Sequence, residues 1–133
     1  MSNNIVNKAG SILYKSESFA LQGAIFEVYR ELGCGFLESV YQECLCNEFK
    51  SRNIPFISQP QINIQYKGVF LESVFRPDFV CYDLIIVELK ATKDIGDENR
   101  AQLFNYLKIS KMRLGLLVNF GHYPRATIER IVL

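Results

Sequence analysis

Two stretches of this chain hold residues whose types and spacing could do chemistry: Arg76-Pro77-Asp78-Phe79 and Val87-Glu88-Leu89-Lys90. A carboxylate followed by Glu-X-Lys can build a divalent-metal phosphodiesterase site. Asp78, Glu88 and a backbone carbonyl such as that of Leu89 can hold one face of a Mg²⁺ or Mn²⁺ octahedron, leaving the other positions to water and phosphate oxygens. Lys90 beside such an ion could orient or help deprotonate the attacking water, or stabilise charge developing on the phosphoryl oxygens; the residues alone leave these roles open. Taken in isolation, the same residues also read as an edge Glu–Lys ion pair plus a turn aspartate.

The elements that must position them follow from periodicity. Leu84-Ile85-Ile86-Val87 reads as a strand buried on both faces. Alternation puts Glu88 and Lys90 on one face of it, about 6 to 7 Å apart at the usual rise, with Leu89 pointing into the opposite layer. Two charges at the end of such a strand are costly unless they pair or hold a metal. Ser73-Val74-Phe75 and Asp78-Phe79-Val80-Cys81 also read as extended. A reversal near Tyr82-Asp83 predicts an antiparallel pair that places Asp78 across from Glu88.

Elsewhere the pattern is that of an α/β core. Ala20, Leu21, Ala24, Ile25, Val28 and Leu32 recur at helical spacing, and Val40, Tyr41, Cys44, Leu45 and Phe49 form a second stripe after the Gly33-Cys34-Gly35 break, ending near Asn53-Ile54-Pro55. Ile62-Asn63-Ile64-Gln65-Tyr66 and Val69-Phe70-Leu71, joined through Lys67-Gly68, predict a hairpin that leads as a meander into the site-bearing strands. Asp97 is placed to cap a helix containing Ala101, Phe104 and Leu107, and Leu114 to Phe120 and Ile128 to Leu133 read as further strands. Residues 1 to 15 carry little pattern and are expected to be a loosely held arm or an extra edge element.

The segment Leu32-Gly33-Cys34-Gly35-Phe36-Leu37-Glu38-Ser39-Val40-Tyr41 carries G-x-x-E-x-x-Y as Gly35, Glu38 and Tyr41. With Arg76-Pro77-Asp78, Val87-Glu88-Leu89-Lys90-Ala91, Ala101-Gln102-Leu103-Phe104-Asn105-Tyr106-Leu107 and Leu114-Gly115-Leu116-Leu117-Val118-Asn119-Phe120, the chain from about Ala20 to Leu133 resembles the GxxExxY proteins of the PD-(D/E)XK nuclease superfamily. The Gln102 to Tyr106 spacing is also similar to the Q-x-x-x-Y element of the RecB-like branch. Tyr29 stands where many relatives are expected to have histidine, so no role is carried over to it. The resemblance implies a restriction-endonuclease-like fold and a nuclease site with Asp78, Glu88 and Lys90 as catalytic residues. It also implies Glu38 as an additional metal or supporting carboxylate, and Gln102, Tyr106 and Tyr41 as substrate-positioning candidates.

Helical geometry is compatible with this, since Glu38 and Tyr41 are three apart and Gln102 and Tyr106 four apart on their helices. Each also has an ordinary structural reading. Glu38 suits the positive end of a helix dipole, the tyrosines suit core rings with a bonded hydroxyl, and Gln102 suits an exposed helix face.

The 133 residues, 49% hydrophobic and 13% aromatic, suit one compact domain rather than a disordered chain. No apolar run is long enough to span a bilayer and no secretory pattern is recognisable, so a cytoplasmic protein without a membrane partner is expected. Cys34, Cys44, Cys46 and Cys81 lack paired C-x-x-C spacing, which argues against a zinc cage and for reduced, mostly buried thiols. His122 is the only histidine, and no catalytic triad is recognisable around it.

The net charge of +1 conceals an asymmetry. Residues 1 to 89 hold 7 Lys or Arg against 10 Asp or Glu, whereas residues 90 to 133 hold 8 against 4. Lys90, Lys93, Arg100, Lys108, Lys111, Arg113, Arg125 and Arg130 could therefore supply phosphate contacts or be scattered solvated charge.

The sequence thus predicts an α/β, restriction-endonuclease-like single domain over residues 1–133, with a mixed sheet flanked by helices. Its expected activity is Mg²⁺- or Mn²⁺-dependent hydrolysis of nucleic acid, DNA ahead of RNA. The alternative is a binding module for nucleic acid or a protein that keeps the fold without turnover. A homodimer or protein partner is left open.

Overall fold

The computed structural model describes residues 12–133. Its elements run α1 (Lys15–Leu32), α2 (Glu38–Ser51), β1 (Phe56–Ser58), β2 (Ile62–Tyr66), β3 (Val69–Phe75), β4 (Phe79–Cys81), β5 (Ile85–Lys90), α3 (Asp97–Ser110), β6 (Leu114–Asn119) and β7 (Thr127–Val132). Five strands form a mixed sheet in the order β1-β4-β5-β6-β7, and β2 and β3 form a separate two-stranded sheet. β5 and β6 are parallel, which requires a crossover, and α3 supplies it; the other neighbours are antiparallel.

The alternation in β5 assigns the layers. Ile85, Val87 and Leu89 join Leu21, Ile25, Tyr41, Leu45 and Phe49 in one core on the α1–α2 side. Ile86 points the other way, into a smaller core with Val80, Leu103, Leu107, Leu117 and Ile131 under α3. Covered on both faces, β5 and β6 can be apolar almost throughout, as a parallel pair of this kind must be. The fold class is the one expected: a mixed sheet between helices.

Several expectations need correction. Asp97 is the first residue of α3 rather than its cap; Gly96 occupies the cap position, and the Asp97 carboxylate pairs with Arg100 at 2.7 Å. The predicted meander is broken, because β2–β3 leaves the main sheet, one of whose two edge strands is the short β1 that periodicity did not reveal. Residues 1–11 lie outside the described residues, but residues 12–15 are not a loose arm. Leu13 is buried, its carbonyl accepts from Arg130 at 2.8 Å, and Lys15 opens α1. The four cysteines are free as expected, but only Cys81 is buried, and burial pushes its thiol up to about 12.

Candidate active site

Tyr82 and Asp83, both in the left-handed region at φ 58° and 56°, reverse the chain between β4 and β5. The register that follows pairs Phe79 with Val87 and sets Asp78 opposite Glu88. Two hydrogen bonds lock this crossing: the Asp78 amide donates to Glu88 Oε1 at 2.8 Å, and the Leu89 amide donates to Asp78 Oδ2 at 2.7 Å. Each carboxylate is thus held by the other strand's main chain. The Asp78 carbonyl is fixed as well, accepting from the Gln59 amide at 2.9 Å and from Gln42 Nε2 at 3.1 Å.

Burial dominates the electrostatics. Glu88 is only 8% exposed, and its carboxyl is pushed up to about 8, first by burial and then by the neighbouring charge of Asp78. Asp78 is raised by burial against the opposing effects of the Leu89 amide and Lys90. Lys90, half-buried on the same strand, is the cation that acts on Asp78, Glu88 and Glu38 alike.

Glu38 arrives from another layer. Gly33 and Gly35, at φ 68° and 109°, turn the chain out of α1 through conformations that a side chain would resist, and Glu38 then begins α2. There burial raises its carboxyl above the usual range, with Lys90 opposing the rise, Asp78 reinforcing it and the Ala91 backbone opposing it. Tyr41 secures the turn. Its hydroxyl donates to the Gly33 carbonyl at 2.6 Å and accepts from the Phe36 amide at 3.3 Å, while its ring stacks on Phe120 at 4.3 Å. Tyr41, placed among the substrate-positioning candidates, is fully buried, with its hydroxyl turned to the chain before α2, an anchoring position.

On the other side of the sheet, Gln102 is exposed on α3 one turn before Tyr106, whose phenol lies within reach of the charges of Glu88 and Asp78. The Tyr106 ring stacks on Phe75 at 4.2 Å. Tyr106 therefore flanks the carboxylates. Two of the basic residues expected to meet phosphate are committed elsewhere. Arg100 binds Glu129 and Asp97, and the buried Arg130 donates to Ser18 Oγ at 2.7 Å and to the Leu13 carbonyl. The His122 ring nitrogen Nδ1 sits 3.0 Å from the Arg125 carbonyl, and its own carbonyl accepts from the Tyr29 hydroxyl at 2.8 Å.

The carboxylate oxygens here are donors of the kind that a hard divalent cation takes. The interstrand bonds use one oxygen each of Asp78 and Glu88, leaving Asp78 Oδ1 and Glu88 Oε2 outside them, and the crowded carboxyls are all raised, as oxygen ligands lacking a neutralising charge are. Beside them a cavity of about 300 Å³ is lined by Glu38, Gln42, Glu43, Gln59, Asp78 and Leu89. Among the described residues, however, no three His, Cys, Asp or Glu side chains gather tightly enough to cage an ion. Glu38 consequently stands beside the Asp78–Glu88 pair and does not complete a three-carboxylate set.

Two supporting residues escaped the sequence reading. Gln42, one turn after Glu38 on α2, bonds both Ser58 Oγ at 3.0 Å and the Asp78 carbonyl, and only the i, i+4 spacing from Glu38 could have signalled it. Asn119, 1% exposed at the end of β6 beside Lys90, accepts from the amides of Thr92 and Gly121. It ties the chain leaving β5 to the chain leaving β6. Its signal was a lone amide closing an apolar run.

Among the described residues no helix is long and apolar enough to cross a membrane. No curated protein sequence matches the chain. Among solved structures, the crystal structure of SSO0001 superposes with a TM-score of 0.58 at 18% identity, over 71% of this chain and 48% of that one, a likeness of fold. The present chain thus spans about half the length of that protein. The family model for the PD-(D/E)XK nuclease superfamily matches residues 15–131, a span that contains Glu38, Asp78, Glu88, Lys90, Gln102 and Tyr106. On that match, and with the mixed sheet that carries these residues, the chain belongs to the PD-(D/E)XK nuclease superfamily.

Proposed function

We propose that this chain acts as one metal-dependent nuclease domain of the GxxExxY type, hydrolysing phosphodiester bonds of nucleic acid, DNA ahead of RNA. The observation that carries the reading is the reciprocal lock of Asp78 and Glu88, two carboxylates held side by side by each other's strands and raised by burial, with Lys90 on the same strand. In this reading Asp78, Glu88 and the Leu89 carbonyl hold Mg²⁺ or Mn²⁺, and Glu38 supports it from α2. When bound, the ion supplies Lewis-acid polarisation of the phosphoryl group and a more acidic water. Lys90 orients the attacking water or takes up developing charge. Gln102 and Tyr106 position the substrate from α3, and Tyr41 keeps Glu38 in place by holding the turn before α2.

The alternative, a module that binds nucleic acid or a protein without turnover, draws support from the absence of a three-ligand cage among the described residues. Cleavage of labelled single-stranded, duplex and branched DNA and of RNA in Mn²⁺ or Mg²⁺ decides between them. The nuclease reading expects cleavage that disappears both on chelation and in Lys90→Ala. A folded protein that cuts none of these substrates would leave the binding module.

A further inference from the structure

β2 and β3 lie between β1 and β4 in sequence, and β1 pairs with β4 as β2 pairs with β3. They are successive stretches of one long hairpin that breaks where Asp78 sits. Pro60 on one side and Pro77 on the other cannot donate to a ladder. Gln59 adopts φ 51°, its amide donates to the Asp78 carbonyl, and Arg76 reaches back to Gln61 Oε1 at 2.8 Å. Beyond this bend the β2–β3 arm forms its own sheet.

The arm has one predominantly apolar face, and an opposite face on which Phe70, 67% exposed, and Val74 stand among Asn63, Gln65 and Glu72. Pairing of Ile62 with Phe75 and Tyr66 with Val69, with the irregularity between them preserving the alternation, puts Ile62, Ile64, Tyr66, Val69, Leu71 and Phe75 together. Phe75 is buried and stacks on Tyr106, so this face is turned toward α3 and the carboxylates. Toward the tip its cover ends: Tyr66 is 61% exposed, Val69 63% and Leu71 41%. A two-stranded hairpin with an uncovered apolar face is marginal alone in water, and contiguous exposed apolar surface marks an interaction site.

The position of the face selects its occupant. It runs from the arm's tip to Tyr106 and the Asp78–Glu88 pair, so a second folded copy covering it would have to enter the mouth of the candidate site. A strand of nucleic acid fits there, because a phosphate at the carboxylates carries its neighbouring nucleotides onto the arm. At the tip the Lys67 ammonium lies over one face of the Tyr66 ring, 5.5 Å from its centroid, which leaves the other face of the ring for a base. Apolar and aromatic surface of this kind stacks exposed bases, which a duplex keeps inside. We propose that the β2–β3 arm binds unpaired nucleotides, with Tyr66, Val69 and Leu71 receiving bases that flank the phosphodiester at Asp78 and Glu88. This rests on the phosphodiesterase reading of that site.

The test is fluorescence anisotropy of the full chain with a labelled oligothymidylate and with a duplex of equal length, in Ca²⁺ so that binding is read without turnover. The variants are Tyr66→Ala with Leu71→Ser on the apolar face and Phe70→Ser on the opposite face, with helicity and Tm checked for each. The expected result is single-strand affinity lowered by about tenfold in the first variant, little change in the second, and weaker duplex binding by the wild type. Equal losses in both variants, no loss in either, no preference for the single strand, or no binding of either oligonucleotide would overturn it. So would a wild-type dimer that the first variant converts to monomer with oligonucleotide affinity intact, which would make the arm a self-association surface. Selective loss of single-strand binding in a protein that cleaves nothing would support the arm and overturn the catalytic reading, so the two failures are distinguishable.

Discussion

Between α3 and β7, Arg100 reaches Glu129 with both Nε and Nη2 at 2.8 Å and Asp97 with Nη1 at 2.7 Å. Those bonds hold the Glu129 carboxyl below its usual range and Arg100 above its own. Where β4, β5 and α2 meet, the Asp78–Glu88 pair has Glu38 beside it and Lys90 as the cation that acts on all of them, and all three carboxyls are raised. The contrast is between compensated and uncompensated charge on one sheet. Folding stability alone favours the first arrangement, because burying like charges costs free energy that a paired set avoids. The second arrangement makes sense when a further positive charge completes it, and perturbed groups of this kind concentrate at functional sites.

The largest effect should come from breaking the uncompensated cluster. Asp78→Ala and Glu88→Ala are each expected to reduce metal-dependent cleavage below detection, whereas Tyr106→Phe should keep activity within roughly a factor of 10 to 100 of wild type. Gel assays at saturating Mn²⁺ with all three variants read this directly. Equal activity in all of them would remove the site assignment.

A stability measurement sharpens the same contrast without requiring turnover. The Glu88 carboxyl has an ordinary value of 4.5 and is pushed up to about 8 in the fold. Between those values the folded state binds more protons than the unfolded chain, so stability is fully present below about pH 4.5 and is lost as pH rises through about 8. Asp78 and Glu38, also raised, act in the same direction. The loss is on the order of a few kcal/mol, and Mn²⁺ should restore it increasingly toward high pH. Thermal denaturation across this range in EDTA and in Mn²⁺ checks the sign. Glu88→Gln should flatten the EDTA profile, and a wild-type profile that rises toward pH 8 in EDTA would contradict the uncompensated cluster.

What the sequence disclosed follows the range of the interactions. Alternation along Leu84 to Lys90 is local, so the buried strand and the shared face of Glu88 and Lys90 were legible, and the reversal at Tyr82-Asp83 set the register opposite Asp78. Tyr41 was legible as part of a motif but not in position, since whether a helical tyrosine faces core or solvent depends on the sheet it meets, here at Phe120. Gln42 and the arm were harder still. The Gln42 amide finds its partners 16 and 36 residues away, and the departure of β2–β3 from the sheet depends on a bend at Gln59 and Arg76 that hydrophobic pattern does not encode.

Tyr41→Phe separates the anchoring position from substrate contact. The ring and its stack on Phe120 survive, while the donation to the Gly33 carbonyl is lost, so stability should fall by about 1 kcal/mol. Because Glu38 follows that turn, apparent Mn²⁺ affinity should weaken modestly while affinity for oligonucleotide in Ca²⁺ stays near wild type. A selective loss of oligonucleotide binding with stability unchanged would return Tyr41 to the substrate.

The smallest effect belongs to the compensated cluster. Arg100→Ala removes the partner of Glu129 and Asp97, both of which retain access to water, so a small drop in Tm that shrinks in high salt is expected. Cleavage rate and its metal dependence should not change, because the cluster stabilises α3 against β7 without reaching Asp78 or Glu88. If instead cleavage fell while Tm held, Arg100 would belong with the phosphate-binding residues after all, and the separation between structural and functional charge on this sheet would have to be redrawn.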